Sequence, residues 1–291
     1  MSGQRPSIAL LGTGLMGFPM ARNILKAGFA LTAWNRTPDK AAGLQAFGAN
    51  LAETAAEAAS AADIVIAMVS DGPAVNDLLF GQGVASAMQS GVLFIDMGSI
   101  RPAEARDHAE RLKALGIAAL DAPVSGGTKG ADAASLAIMA GGDADAFAQA
   151  EPVLRTMGRP VHVGPSGSGQ IAKLANQGIV AVTIGAVAEA ILLAESSGLA
   201  PGALRQALAG GFADSVILQQ HGGRMEARDF VPGGRSSIQL KDLANLLDSA
   251  GELDLPLAKA MHERYAALVR DMGKGDLDHS ALFLELLARN A

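Results

Sequence analysis

Lys173 is an isolated cation in an apolar segment. It lies in GSGQIAKLANQ, and the sequence has no other Lys or Arg between Arg159 and Arg205. On a helix, the amides at positions 170, 176 and 177 would share its face through i+3 and i+4 spacing. Burial and the positive end of a helix both lower the pKa of a lysine, which suits it to exchange a proton with an alcohol or carbonyl oxygen. The alternative is a lysine that extends from the helix start into water.

The segment DAPVSGGTKGA could hold a carboxylate. Ser125 offers a hydroxyl donor, and Gly126 and Gly127 leave backbone N–H groups accessible. Successive N–H groups in such a turn form a concave site for an anion. The same residues could equally form a simple Gly-Gly turn, so both interpretations stay open at this point.

The string LLGTGLMG matches the pattern G-x-G-x-x-G at Gly12, Gly14 and Gly17. It lies between a predicted strand and a predicted helix, the context in which the pattern is informative. Gly12 would permit the tight turn, Gly14 the approach of a pyrophosphate, and Gly17 close packing of the helix on the strand. We therefore predict a dinucleotide whose diphosphate contacts the helix N-terminus, with Leu15 and Met16 in the same loop.

The end of the second predicted strand, WNRT, indicates which dinucleotide is bound. NAD-binding units usually carry Asp or Glu about 20 residues after the glycines, where it bonds the ribose 2′-OH. Here Asn35 takes that place, and Arg36 and Thr37 follow. A guanidinium and a hydroxyl suit a 2′-phosphate, which a carboxylate would repel. We predict NADP(H) in preference to NAD(H), although Arg36 could merely solvate the turn.

Two kinds of element must position these residues. In the first half, short apolar runs alternate with helical segments of about ten residues, which is typical of βαβ units and a mostly parallel sheet. Beyond residue 164 no further strand is predicted, and residues 170–197 indicate one helix of about 42 Å. The expected fold class is α/β. A doubly wound Rossmann domain over residues 1–165 precedes an all-α domain over residues 166–291, with a long interdomain helix.

Composition limits the partners. The chain has 291 residues, a formal net charge of -6 and no basic cluster, so we expect no nucleic acid partner. It has no cysteine and five scattered histidines, so we expect neither disulfides nor a metal site. The longest apolar run, residues 179–194, contains Glu189 and is shorter than the ~20 residues that cross a bilayer. We expect a cytoplasmic protein without a membrane partner.

Taken together, the motifs resemble the β-hydroxyacid dehydrogenases, a family that includes 3-hydroxyisobutyrate dehydrogenase and tartronate semialdehyde (2-hydroxy-3-oxopropionate) reductase. Four segments carry the resemblance, in the family's order and across nearly the whole chain: GTGLMGFPMARN, DAPVSGG, GSGQIAKLANQ and QLKDL. The resemblance implies an NAD(P)-dependent enzyme acting on a small hydroxy acid or semialdehyde. It also implies homodimers or homotetramers built through the long helix.

At the substrate end, the resemblance implies three roles. Lys173 matches the family's catalytic lysine, and residues 125–127 match its substrate-carboxylate loop. The family places Asn four residues after the lysine, whereas here that position is Gln177, with Asn176 directly before it. The additional methylene of Gln would lengthen or shift the contact with the substrate.

At the cofactor end, Met68 and Val69 match the loop after the fourth strand, which borders the cofactor. Ser99 falls where the family has Thr near the nicotinamide, and Lys241 matches a lysine that reaches cofactor and substrate. Two motifs depart from the family pattern: DMSTI reads DMGSI, and M-L-P reads MVS. Neither departure removes the lysine or the carboxylate loop.

These features predict an enzyme that moves a hydride between the nicotinamide and the carbon bearing the β-hydroxyl of a small acid. A tartronate-semialdehyde-type reductase using NADP(H) is the first expectation, and a 3-hydroxyisobutyrate dehydrogenase is the alternative. Imine reductases share the resemblance in fold but replace the lysine, so Lys173 argues against that activity. A non-catalytic dinucleotide-binding module need not retain Lys173, Lys241 and residues 125–127 together.

The cofactor assignment is testable at one residue. Arg36→Ala should raise the KM for NADPH much more than the KM for NADH, because the guanidinium is assigned to the 2′-phosphate alone. Steady-state kinetics with each cofactor measure the difference. Equal effects on both values would contradict the assignment.

Overall fold

The computed structural model describes residues 5–291. The chain divides into two compact units, one that ends at Lys173 and one that comprises Leu174–Ala291. The first unit is of the Rossmann type and the second is helical, which confirms the predicted fold class. The boundary predicted after residue 165 precedes the helix Ser168–Ser196, whereas the division between the units falls inside this helix.

The first unit is built on a nine-stranded sheet within residues 5–291. Its strands are β1 Ile8–Leu11, β2 Leu31–Trp34, β3 Asn50–Leu51, β4 Ile64–Ala67, β5 Leu93–Asp96, β6 Ala118–Asp121, β7 Val124–Ser125, β8 Leu136–Gly142 and β9 Gly158–Gly164. The order is β3-β2-β1-β4-β5-β6-β8-β7, and β9 pairs with β8. Strands β1 to β6 are parallel, whereas β8 runs antiparallel to β6 and β7.

The register of the parallel strands brings the predicted site loops to one edge. Leu11 pairs with Trp34 on one side and Ala67 on the other, and Ala67 pairs with Asp96. The loops that follow these four residues carry the glycine motif, the WNRT turn, Met68 and Ser99. The strand order reverses between β1 and β4, and such a reversal creates a crevice in which doubly wound sheets bind ligands.

Helices cover both faces of this sheet. They are α1 Gly17–Lys26, α2 Asp39–Ala42, α3 Ala55–Ser60, α4 Gly72–Asn76, α5 Val84–Ala87, α6 Pro102–Lys113, α7 Gly127–Asp132 and α8 Ala144–Leu154. Side chains along a strand alternate between the two faces. Accordingly, Ile8 and Leu10 belong to one buried cluster, and Ala9 and Leu11 belong to the other. Burial on both faces explains why β1 is apolar at every position.

Two local predictions differ from the structure. The sequence pattern over residues 38–48 predicts one helix, but α2 ends at Ala42 and a 3-10 segment, Gly43–Phe47, follows it. Gly48 terminates this segment with a φ of 91°, a conformation that favours glycine. Strand β3 was not predicted, because its two residues, Asn50 and Leu51, are too few to show an alternating pattern.

The second unit contains the remaining helices. They are the main part of α9 Ser168–Ser196, then α10 Pro201–Leu208, α11 Val216–Ala227, α12 Ser236–Ser249, α13 Pro256–Ala266 and α14 Leu282–Arg289. Arg264 of α13 donates to Glu285 at 3.0 Å and to Glu189 at 3.1 Å, and so links three helices. By length and composition α9 would also qualify as a membrane span, but core helices of soluble proteins pass the same test.

The cap of α3 yields a stability prediction. The hydroxyl of Thr54 accepts from the Glu57 N–H at 3.1 Å, and the Glu57 carboxylate accepts from the Thr54 N–H at 3.4 Å. Thr54→Ala removes the side-chain acceptor and should lower the free energy of unfolding by about 1 kcal/mol, measured by urea denaturation. Ser60→Ala is the control, since its exposed hydroxyl donates to the Glu57 carbonyl at the other end of the same helix. A similar loss in both variants would contradict the capping assignment.

Candidate functional site

The three glycines of the loop after β1 have different surroundings. A side chain at Gly12, where φ is 103°, would overlap the carbonyl oxygen of Met68, and one at Gly17 would overlap the carbonyl oxygen of Gly12. A Cβ at Gly14 would meet nothing within 4 Å. Gly12 and Gly17 are therefore required for backbone packing, whereas Gly14 borders open space that a phosphate could enter.

The start of α1 provides groups for an anion. Its N-cap residue, Met16, makes no side-chain capping bond, and the first turn has no acidic residue. The hydroxyl of Thr13 is buried without a hydrogen-bond partner among residues 5–291. An uncapped helix start with an unused hydroxyl beside it fits a diphosphate, which accepts hydrogen bonds and favours the positive end of a helix.

Asn35 joins the glycine loop to the turn after β2. Its Oδ1 accepts from the Thr13 N–H at 2.9 Å, and its Nδ2 donates to the Thr37 carbonyl at 2.9 Å. Both ends of the amide are thus engaged in the protein, and Arg36 and Thr37 are exposed beside it. Asn35 sets the position of the two residues predicted to contact the 2′-phosphate.

The two segments that depart from the family pattern, MVS and DMGSI, lie close to each other. Met68 and Val69 follow β4 and are half-buried, and the Met68 N–H donates to the Leu11 carbonyl at 2.8 Å. A Cβ at Gly98 would lie 2.8 Å from the carbonyl oxygen of Val69. The backbone of Val69 therefore leaves little space for a side chain at Gly98, and Ser99, the next residue, is half-buried at this edge of the sheet.

The predicted carboxylate loop connects β7 to α7. Gly126 has a φ of 137° and Gly127 a φ of 61°, and both are exposed. Asn23 of α1 donates to the Ala131 carbonyl of α7 at 2.7 Å, and Arg22 pairs with Asp132 at 3.0 Å. The helix that follows the glycine loop and the helix that follows Ser125 are therefore bonded to each other.

Lys173 lies near the start of α9 and is 9% exposed. The Asp121 carboxylate, at the end of β6, accepts from the N–H groups of Gly167 and Gln170 at 2.7 and 2.8 Å. Burial raises the pKa of Asp121, and the backbone N–H donors counteract this shift. Gln170 is fully buried: its Oε1 accepts from the Ile100 N–H, and its Nε2 donates to the Gly98 carbonyl, both at 3.0 Å.

In the helical unit, the predicted amide residues belong to a buried network. Nε2 of Gln177 donates to Gln239 at 3.0 Å and to Asp242 at 2.9 Å, and Oε1 accepts from Asn176 at 2.9 Å. Nζ of Lys241 lies 3.2 Å from Asp242. The longer side chain of Gln177 thus connects α9 to α12. The substrate contacts of Asn176, Gln177 and Lys241 stay a prediction.

Several residues of these networks were not identified from the sequence, although the quoted motifs contain them. Asp121 opens DAPVSGG, Asn23 ends GTGLMGFPMARN, and Asp242 follows Lys241 in QLKDL. For Asp121, its place at the end of the apolar run of β6 is the available signal. Its partners are distant in sequence, however, so the pairing requires the tertiary structure.

Two family models together match nearly the whole chain. Residues 7–165 match the family model described as the NAD-binding domain of 6-phosphogluconate dehydrogenase. Residues 167–286 match the model described as the NAD-binding domain of NADP-dependent 3-hydroxyisobutyrate dehydrogenase. The chain belongs to the β-hydroxyacid dehydrogenase family. It is accordingly an NAD(P)-dependent oxidoreductase that acts on a hydroxyl group, as the sequence predicted.

Individual relatives agree with this assignment. The chain is 42% identical to the 2-hydroxy-3-oxopropionate reductase of Escherichia coli, over 97% of this chain and 98% of that protein. It is 36% identical to a probable 3-hydroxyisobutyrate dehydrogenase of Mycobacterium bovis, over 97% and 98% of the two chains. A solved 3-hydroxyisobutyrate dehydrogenase of Mycobacterium tuberculosis with L-serine has a TM-score of 0.87 and 34% identity, over 97% and 99% of the chains.

The role of Asn35 is testable by a change of one atom. Asn35→Asp keeps an acceptor for the Thr13 N–H but cannot donate to the Thr37 carbonyl, and it adds a negative charge beside Arg36. We expect the KM for NADPH to rise roughly tenfold or more, while the KM for NADH changes little. Asn50→Asp, which adds the same charge at an exposed position of β3, should change neither value. Parallel increases for both cofactors in Asn35→Asp would contradict the interpretation.

Proposed function

We propose that the protein is an NADP(H)-dependent reductase of a small semialdehyde acid, of the 2-hydroxy-3-oxopropionate type, that also catalyses the reverse oxidation. The observation that carries the substrate class is the 42% identity to 2-hydroxy-3-oxopropionate reductase over 97% of this chain. The loops described above would supply groups for a dinucleotide and for a carboxylate, and Lys173 on α9 would supply the group for proton transfer. Reduction is the direction expected with NADPH.

The preference for NADP(H) is supported by the turn after β2. Residues 35–37 contain no carboxylate, and Arg36 and Thr37 expose a guanidinium and a hydroxyl. Such donors suit a phosphate, and Arg binds phosphate through two parallel N–H bonds. The second matched family model is described as belonging to an NADP-dependent 3-hydroxyisobutyrate dehydrogenase, which agrees with this preference.

The proposed chemistry divides between the cofactor and the chain. A bound nicotinamide would supply or accept the hydride. Lys173 would donate its proton to the carbonyl oxygen during reduction and take it back during oxidation. Its low exposure, 9%, limits competition from water for that proton. Because Lys173 lies on a long helix rather than on a loop, its backbone position is well defined.

The substrate carboxylate is assigned to Ser125 and the N–H groups of Gly126 and Gly127. These three residues provide hydroxyl and backbone donors, and both glycines are exposed and have a positive φ. Holding the carboxylate would place the β-carbon at a fixed distance from the loop, and such positioning lowers the barrier to reaction.

A 3-hydroxyisobutyrate dehydrogenase is the second candidate. The relatives of that name, at 36% identity and at a TM-score of 0.87, favour it. Both candidate substrates combine a carboxylate with an oxygen on the β-carbon. They differ in the group on the α-carbon, which is a hydroxyl in one and a methyl in the other, so a substrate panel separates them.

We also propose that the protein forms homodimers or homotetramers through α9. Ile179 and Leu193 are each 68% exposed, and Ala186, midway between them, is exposed as well. Residues seven apart lie on one side of a helix after two turns. An exposed apolar side on a long helix supports burial against a second copy.

The experiment measures NADP⁺-dependent oxidation of glycerate, 3-hydroxyisobutyrate, 3-hydroxypropionate, serine, threonate and 4-hydroxybutyrate. We expect glycerate to give the highest kcat/KM. Lys173→Ala should lower kcat roughly 100- to 10,000-fold, because the proton donor and acceptor is lost. Lys113→Ala, which removes an exposed lysine at the end of α6, is the control and should leave kcat unchanged.

Each contrary outcome changes a different part of the proposal. Higher kcat/KM for 3-hydroxyisobutyrate would favour the second candidate. Undiminished turnover by Lys173→Ala would remove the lysine from the proton path. Reduction of cyclic imines without turnover of any hydroxy acid would replace the substrate class, and tight NADPH binding without any turnover would indicate a binding module.

A further inference from the structure

The start of α9 is capped by a residue of a distant strand. The first N–H groups of a helix have no acceptor within the helix. Here the N–H of Gln170, and that of Gly167 directly before the helix, donate to opposite oxygens of Asp121, at 2.8 and 2.7 Å. Asp121 is the last residue of β6 and is only 4% exposed. Because both oxygens are engaged, the carboxylate fixes the helix start against the end of the strand.

Two glycines allow this close approach. A side chain at Gly169 would overlap the carbonyl oxygens of Asp121 and Met139. A Cβ at Gly141 would lie 2.7 Å from both the Asp121 carboxylate and the Gly169 nitrogen. The helix start therefore contacts the backbone of β6 and β8 directly, with little room for it to shift.

Gln170 extends the same constraint to the loop after β5. Its side-chain amide bonds the Gly98 carbonyl and the Ile100 N–H, which are the residues on either side of Ser99. Gln170 therefore bonds Asp121 through its backbone and, through its side chain, the loop of residues 98–100, here called the Ser99 loop. Lys173 follows Gln170 by three residues, which is less than one helical turn.

We propose that Asp121 and Gln170 are positioning residues that fix Lys173 relative to the Ser99 loop. Neither is assigned contact with substrate or cofactor. Both act by holding the first turns of α9 in place, and this role rests on the proton-transfer role proposed above for Lys173. A displacement of about 1 Å by a residue outside the reacting groups can cost about 100-fold in rate.

The test is Asp121→Asn, which keeps the shape of the side chain but presents only one acceptor to two N–H donors. We expect kcat to fall about 10- to 100-fold, while the Kd for NADPH, from fluorescence titration, changes less than about twofold. Gln170→Met removes both bonds to the Ser99 loop and should lower kcat in the same way. Thr54→Ala is the matched control, since it removes a helix cap elsewhere in the unit and should leave kcat unchanged.

A double-mutant cycle separates positioning from a general structural role. In the Lys173→Ala background, Asp121→Asn should lower the residual kcat by less than about threefold, because there is no lysine left to position. A loss as large as in the wild type would overturn the proposal, and so would an unchanged kcat in both single variants. If Asp121→Asn does not fold, Gln170→Met completes the same cycle.

The same measurements distinguish a failure of the proposed role of Lys173 from a failure of positioning by Asp121 and Gln170. Full activity of Lys173→Ala would refute the role of the lysine itself, and positioning by Asp121 would fall with it. Loss of activity in Lys173→Ala together with full activity in Asp121→Asn and Gln170→Met would refute positioning alone. The substrate panel is independent of both results.

Discussion

The parallel register of β1 to β6 is the constraint on which the first unit depends. Because parallel strands end at the same edge, four loops that are distant in sequence meet there: the glycine loop, the WNRT turn, the MVS segment and the DMGSI loop. Sheets of this kind must be covered on both faces, and the apolar strands with their two buried clusters meet that requirement. Functional residues can then lie in the loops at this edge, while the apolar strands and the helices that cover them form the core.

Hydrogen bonds between these loops complete the arrangement. Asn35 bonds the glycine loop to the turn beside it, Gln170 bonds the Ser99 loop to the helix start, and Asn23 bonds α1 to α7. Each of these side chains is an amide whose oxygen or nitrogen forms a hydrogen bond with a backbone group. An amide carries no charge, so it can be buried at a small cost when its bonds are made.

The helical unit applies the same principle around α9. Gln177 connects to α12 through Gln239 and Asp242, and Asp242 lies beside Lys241. At this position the family has Asn, and the added methylene of Gln is used here to span the distance between two helices. A departure from the family pattern that first suggested an altered substrate contact thus has a structural explanation within the unit itself.

The sequence alone determined the fold class, the family and the residue types able to bind a dinucleotide, a carboxylate and a proton. These follow from local signals: strand and helix periodicity, glycines at fixed spacing, and a lone lysine in an apolar run. Only the tertiary structure decided that Asp121 caps α9, that Asn35 is a bridge, and that Gln170 and Gln177 are held in place by distant segments. Those pairings depend on how strands and helices pack, and a hydrogen bond between residues that are distant in the chain leaves no periodic trace in the sequence.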